Sequence, residues 1–165
     1  MSIDLVRVDF RTVHAQVMHN WTKQLNIRRI ILIDDELFKD DFLQMIYRSS
    51  APRDTKLEFI SAKDATVKLR EHYYEKLDER CLILFKLISQ LYAVVKDGYL
   101  FKDVQIGGAP AGPGRKNIYN SVSITQEEHD QLVEISEMGC RIYFQTVPGY
   151  KPEEFENIIR KFSNK

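Results

Sequence analysis

Apolar and polar positions along the chain change period repeatedly, and each change marks an element. Ile3–Val8 reads as a β-strand. Val13, Val17, Trp21 and Leu25 then recur every four residues, which marks one face of a helix. Arg29–Ile33 is a short β-branched run and gives a second strand. Phe38, Phe42, Met45 and Ile46 line a second helix, which Pro52 must end. Leu57 and Phe59 alternate in a third strand, and Ala62, Ala65, Leu69 and Tyr73 give a third helix. Cys81–Phe85 is continuously apolar, as expected of a central strand buried on both faces.

The alternation continues to the end of the chain. Ile88, Leu91, Tyr92 and Val95 form a helical stripe with Gly98 as its C-cap. Val104–Ile106 is a short strand. The stretch 107–116 holds four of the seven glycines and two of the five prolines, so it reads as a loop. Ile118, Val122 and Ile124 alternate in another strand. Thr125 and Glu128 make a capping box for the next helix, which Gly139 ends. Cys140–Phe144 is the seventh strand. Pro152, in a first helical turn with Glu153 and Glu154, opens a last helix that buries Phe155, Ile158, Ile159 and Phe162. About seven strands and six helices in near-strict alternation predict an α/β fold. Its core is an open, mostly parallel sheet with helices on both faces. Without repeats, low-complexity tracts or linkers, residues 1–165 read as one domain.

Charge and cysteine content narrow the function. Lys plus Arg total 24, as do Asp plus Glu, so the formal net charge is zero. A general nucleic-acid binder would carry a basic excess, and none is present. Cys81 and Cys140 fit no zinc or redox spacing and read as buried thiols in a reducing compartment. No apolar run reaches the roughly 20 residues of a membrane span, and the N-terminus lacks a signal-peptide pattern, so a cytoplasmic location is expected.

In doubly wound sheets, ligands collect beyond the carboxyl ends of the strands. The loop after the first strand reads Asp9-Phe10-Arg11-Thr12-Val13-His14-Ala15-Gln16. Thr12 reads as the N-cap of the following helix. His14 then falls in the first turn, where free backbone N–H groups favour a neutral, nucleophilic imidazole. Against this stands a packing role for His14. The glycine-rich stretch could cradle an anion, with Arg115 and Lys116 at its end, but it matches neither a P-loop nor GxGxxG. Asp34-Asp35-Glu36 reads as an acidic helix start. His19, His72 and His129 have no metal-ligand spacing, so neither metal nor cofactor is expected.

Val6-Arg7-Val8-Asp9-Phe10-Arg11-Thr12-Val13-His14-Ala15-Gln16-Val17, followed by Trp21, resembles the N-terminal signature of a bacterial family. These are the IIB subunits of the mannose/fructose/sorbose class of the sugar phosphotransferase system. Arg29–Asp35, Leu84-Phe85-Lys86 and Ile106-Gly107-Gly108 fit the same family. Two positions depart from it: Thr12 replaces an apolar residue, and Ala15 replaces the glycine after the histidine. The resemblance implies an enzyme, a protein-Nπ-phosphohistidine–sugar phosphotransferase, in which His14 accepts a phosphoryl group from a phosphorylated IIA protein. The group then passes to a hexose or amino sugar entering through the membrane subunits IIC and IID. Arg11 would clamp the phosphoryl oxygens and Asp9 would orient Arg11. Gln16, Lys86, Gly107, Gly108, Arg115 and Lys116 would contribute to the phosphoryl- or partner-binding surface. A homodimer is compatible with the family. Other IIB families use a cysteine in a loop after a strand, whereas Cys81 and Cys140 both stand at strand starts. The alternative reading is a non-catalytic module that holds a nucleotide or phosphometabolite on the glycine loop.

Overall fold

A computed structural model describes residues 3–13 and 18–163 in full and the backbone of residues 15–17. Its centre is a seven-stranded sheet. The strands are β1 (Ile3–Asp9), β2 (Arg29–Ile33), β3 (Lys56–Ile60), β4 (Cys81–Phe85), β5 (Asp103–Gly108), β8 (Arg141–Phe144) and β9 (Glu153–Glu154). They lie in the order β3-β2-β4-β1-β5-β8-β9. All neighbouring pairs run parallel except β8 with the short edge strand β9. The remaining strands, β6 (Lys116–Tyr119) and β7 (Val122–Ile124), form a separate antiparallel ribbon where the sequence pattern suggests one strand.

Among the described residues, six α-helices complete the alternation: α1 (Ala15–Leu25), α2 (Asp41–Ser50), α3 (Ala62–Arg70), α4 (Ile88–Lys96), α5 (Gln126–Glu137) and α6 (Phe155–Ser163). β4 is buried at all five positions, as its unbroken apolar run demands. Two cores follow from the two faces of the sheet. The larger packs Val6, Val8, Ile83, Phe85, Val104 and Ile106 against α3, α4, α5 and α6. The smaller packs Leu5, Ile30, Leu32, Leu82 and Leu84 against Val13, Met18 and Trp21. The helix following β1 therefore lies on the opposite face from those following β4 and β5. In doubly wound sheets such a split marks the strand end where ligands collect, here the carboxyl end of β1. No helix among the described residues is long and apolar enough to cross a membrane.

Local chemistry explains most boundaries. Ser61 accepts a hydrogen bond from the Asp64 N–H at the start of α3, and Thr125 with Glu128 forms a complete capping box on α5. Gly98 and Gly139 take φ of +108° and +106° at helix ends, a conformation that glycine adopts without steric cost. Three expectations change. Pro152 precedes β9, not a helix, and α6 begins at Phe155. Thr12 does not cap α1: it sits in a turn at φ +55°, buried, and hydrogen-bonds the Arg11 carbonyl and the Tyr47 hydroxyl. The stripe expected on the second helix is not core: Phe42, Met45 and Ile46 of α2 are 67%, 60% and 43% exposed, and Phe38, which lies before α2 in a short 3-10 turn (Leu37–Lys39), is 40% exposed.

Candidate functional site

The carboxyl end of β1 is organised around one carboxylate shared by two guanidinium groups. Asp9 is 1% exposed. Its Oδ2 accepts from Arg7 Nη2 at 2.8 Å and from Arg11 Nη2 at 2.9 Å. Its Oδ1 accepts from Arg11 Nε at 2.9 Å and from the Arg11 backbone N–H at 3.1 Å. Burial works against the charged form, but the hydrogen bonds and charges of Arg11 and Arg7 outweigh it. Asp9 is thereby held below the ordinary carboxylate range. Arg11 titrates above its ordinary range because of the Asp9 hydrogen bonds.

The two arginines differ in surroundings. Arg7 is fully buried within a strand that is otherwise apolar between Leu5 and Val8. Nη1 donates to the Gln105 side chain and to the Gln145 carbonyl, the latter at 2.8 Å. Nη2 also donates to the Thr146 carbonyl at 2.9 Å. Burial pushes its pKa down, opposed by Asp9. The Arg7 guanidinium lies 5.5 Å from the centre of the Trp21 ring, whose Nε1 donates to the same Thr146 carbonyl. The tryptophan of the sequence signature thus braces the site from α1. Arg11 keeps 26% of its side chain exposed, and its Nη2 also donates to the Gly107 carbonyl at 3.2 Å. Arg11 Nη1 makes no hydrogen bond among the described residues.

Gly107 and Gly108 belong to the end of β5, not to a loop, and they lack side chains for a steric reason. A Cβ on Gly107 would stand 2.0 Å from the Arg7 guanidinium carbon, and one on Gly108 would stand 2.7 Å from Asp9 Oδ1. The pair therefore seats the Arg7–Asp9–Arg11 cluster. Lys86 follows β4 one residue beyond the Val8–Phe85 pairing, so it too lies at this end of the sheet.

Arg115 and Lys116 are engaged elsewhere. Arg115 donates to the Pro110 and Ser123 carbonyls and pairs with Glu128 at 2.6 Å, which locks the 109–116 turn onto α5. Lys116 donates to the Phe162 carbonyl and lies over its ring. The glycine cradle for a free nucleotide loses its basis, since Gly107 and Gly108 are packed against the chain's own side chains and Arg115 is engaged. His14 and the Gln16 side chain lie outside the described residues. The acidic run is structural: Asp34 accepts from the Glu36 and Leu37 N–H groups, and Asp35 from that of Ala62. Arg7 stood in the family signature without a role, and Gln105 and Gln145 were not singled out in the sequence. The signal for Arg7 was an unpaired charge inside an apolar strand.

A mostly parallel α/β sheet with a net-cationic, partly exposed cluster at the carboxyl end of β1 is suited to an anionic group there. The comparisons narrow this further. The family model for the "PTS system sorbose subfamily IIB component" matches residues 3–165. The sorbose-specific EIIB component of Klebsiella pneumoniae is 29% identical over 163 residues, covering 99% of this chain and 96% of that protein. The fructose-specific EIIB component of Bacillus subtilis is 27% identical over 160 residues, covering 97% of each. The crystal structure of the IIBSor domain of the Klebsiella pneumoniae sorbose permease superposes with a TM-score of 0.88, at 26% identity and full coverage of both chains. The chain belongs to the sorbose-subfamily IIB components of the phosphotransferase system. It is a phosphotransfer module that acts between a IIA component and the membrane subunits.

The enzyme class expected above is corrected. No catalytic histidine motif stands among the described residues, and no described histidine is hydrogen-bonded to the cluster. His19 and His72 are exposed, and His129 stacks on Phe162 at 4.1 Å. The relatives' names carry the component and its sugar, not a phosphohistidine chemistry. The assignment as a protein-Nπ-phosphohistidine–sugar phosphotransferase is therefore withdrawn. A buried thiol, Cys81, is present at the amino end of β4, opposite the cluster; burial pushes it up to about 11. Cys140, just before β8, is pushed up to about 12 for the same reason.

Proposed function

We propose that phosphoryl transfer takes place where β1 ends, on a group delivered by the turn between Arg11 and α1. The observation that supports this most directly is Arg11. Its guanidinium is fixed by Asp9 and the Gly107 carbonyl, yet 26% of its side chain stays exposed. Such a group can bind phosphoryl oxygens without reorganising, and transfer of a loose, highly charged phosphoryl group depends mainly on positioning and charge stabilisation. The donor is a phosphorylated IIA component. The acceptor is a hexose at the membrane subunits IIC and IID, as the fructose- and sorbose-specific relatives suggest. Asp9, Lys86 and Gly107–Gly108 frame the partner-facing surface, and residues 1–165 act as one domain. Within the turn, His14 is the site residue put to the test, against Cys81.

Peptide mapping decides the matter. The chain is loaded from phosphoenolpyruvate through the general phosphotransferase proteins and a IIA component, then digested with trypsin at alkaline pH. The label is expected in the peptide 12–23 and not in the peptide 81–86. A label on Cys81 overturns the proposed site. Arg11→Ala is expected to slow loading on the order of 10²-fold while changing the half-saturating IIA concentration little, because the lost donor acts as the group passes. Equal loading rates would remove Arg11 from the transfer step.

A further inference from the structure

Thr12 holds a backbone conformation that its side chain disfavours. Five non-glycine residues among those described take a positive φ: Thr12, Asn26, Asp54, His72 and Asn120. Asparagine, aspartate and histidine enter this region readily, whereas a β-branched residue there is strained. Thr12, at +55°, is the only β-branched one of the five. Strain of this kind persists only where the surroundings enforce it, and it gathers at working sites. Here it falls immediately after Arg11.

The groups that enforce it come from both sides. The Thr12 N–H closes the Asp9–Thr12 turn on the Asp9 carbonyl at 3.0 Å, and the Phe10 N–H donates to the Gly108 carbonyl at 3.2 Å. Val13 is buried in the smaller core, so the chain is fixed beyond Thr12 as well. The Thr12 hydroxyl has one proton, and the Arg11 carbonyl, 2.8 Å away, can only accept it. The Tyr47 hydroxyl, at 2.9 Å, is then the donor to Thr12 Oγ1. Tyr47 is seated for this task. Its ring packs edge-on against Phe59 with centroids 6.3 Å apart. The next residue, Arg48, donates to the Leu57 carbonyl at 2.7 Å and lies over the Phe59 ring. β3 thus fixes the α2 side chain that reaches the turn after β1. An apolar residue at position 12, as in the family signature, could not make this bond. We propose that Tyr47 is a positioning residue for phosphoryl transfer: its hydroxyl, bonded to Thr12, latches the strained Asp9–Thr12 turn and so fixes the backbone that carries Arg11. Tyr47 acts through Thr12 and touches no reacting group. This role rests on the end of β1 being the transfer site proposed above. A shift of the turn displaces Arg11 from the incoming phosphoryl group, and rates fall steeply with such displacements.

Phosphoryl loading of the full chain, timed across concentrations of a phosphorylated IIA component, tests the latch. Tyr47→Phe keeps the ring and loses the hydroxyl. Thr12→Val keeps the shape and loses the partner. Each is expected to lower the maximal loading rate about five- to tenfold, the worth of one hydrogen bond, with the half-saturating IIA concentration unchanged. The double variant should load no more slowly than the slower single one, since both changes break the same bond. Thr12→Gly removes the strain, so in that background Tyr47→Phe should have no further effect. Thermal midpoints are recorded beside the rates, and a lowered midpoint with an unchanged maximal rate would mark a purely structural role and overturn the proposal. Tyr47→Phe loading at the wild-type rate while Arg11→Ala is slow overturns the latch and leaves the site standing. If Arg11→Ala is as fast as wild type too, the site fails and the latch with it. Multiplicative slowing in the double variant, or an undiminished effect of Tyr47→Phe beside Thr12→Gly, also overturns it.

Discussion

β1 carries an aspartate at each end, and both are paired with arginine. At the carboxyl end, Asp9 is 1% exposed and serves a fully buried Arg7 and a half-open Arg11. At the amino end, Asp4 accepts from Arg80 Nε at 3.0 Å and Nη2 at 2.8 Å, and from the Cys81 N–H at 3.2 Å. There the arginine is 42% exposed. The bond lengths are alike, but the consequences differ. Water can replace Asp4 as the partner of Arg80. Nothing in the interior can replace Asp9 as the counter-charge of Arg7. An ion pair next to water contributes little, while removing one partner of a buried pair leaves a charge stranded. The end of the strand proposed to carry the chemistry is thus also the less tolerant of its two ends.

The largest expected effect breaks the buried pair. Asp9→Asn should lower the stability to urea by about 3–5 kcal/mol, since Arg7 is then charged, buried and uncompensated. Arg11→Ala leaves Arg7 paired and should cost far less stability while slowing transfer. If Asp9→Asn proves as mild as Arg11→Ala, the buried pair does not distinguish the two ends.

The next effect probes the seat of the cluster. Gly107→Ala puts a methyl group 2.0 Å from the Arg7 guanidinium carbon, so Arg7 or β5 must shift. A destabilisation of about 1–3 kcal/mol is expected from such overpacking, with slower phosphoryl loading because Asp9 and Arg11 move too. At Gly112 the nearest atom to an added Cβ is Arg115 Cδ at 3.7 Å, an ordinary contact, so Gly112→Ala should be close to neutral. Chemical denaturation of both variants, with loading rates alongside, checks the contrast.

These glycines show where the sequence was legible and where it was not. Composition marked 107–116 as one loop, and the first two residues proved to be strand, because glycine answers equally to a turn and to close packing. The arginine that needs the space is 100 residues earlier in the chain, and its other partners, Gln105 and Gln145, are 98 and 138 positions away. No local pattern carries such information. Local chemistry was legible: the unbroken run of β4, the Thr125–Glu128 box and the split of helices between faces all followed from it. Periodicity also found the α2 stripe, but spacing reports which side chains share a face, not whether anything covers that face. For the proposed site, Asp9 and Arg11 were candidates from their place after the first strand, and Gly107 and Gly108 from the glycine-rich stretch and the family resemblance. The partners that fix them were not.

Acid titration sharpens the comparison further. Asp9 has its pKa depressed in the folded chain, so its contribution is present above the unfolded aspartate value of about 3.9 and fades as pH falls through the lower folded value. The stability difference between wild type and Asp9→Asn should therefore hold steady from neutral pH down to about pH 4 and shrink below it. Urea midpoints measured for both proteins across that range would show it. A difference that shrank well above pH 4 would mean that the carboxylate is not held by its arginines.

The smallest effect belongs to the amino end. Asp4→Asn removes the carboxylate charge facing Arg80, but the guanidinium is 42% exposed and can be resolvated. The amide oxygen of asparagine can still accept from the Cys81 N–H. The expected loss is therefore about 0–1 kcal/mol, and it should diminish further in high salt, where surface pairs are screened. Phosphoryl loading should be unchanged, since the Arg11 cluster is at the other end of the strand. An Asp4→Asn chain as unstable as Asp9→Asn would show that the amino end is sealed from water in solution, and would erase the asymmetry on which the comparison rests.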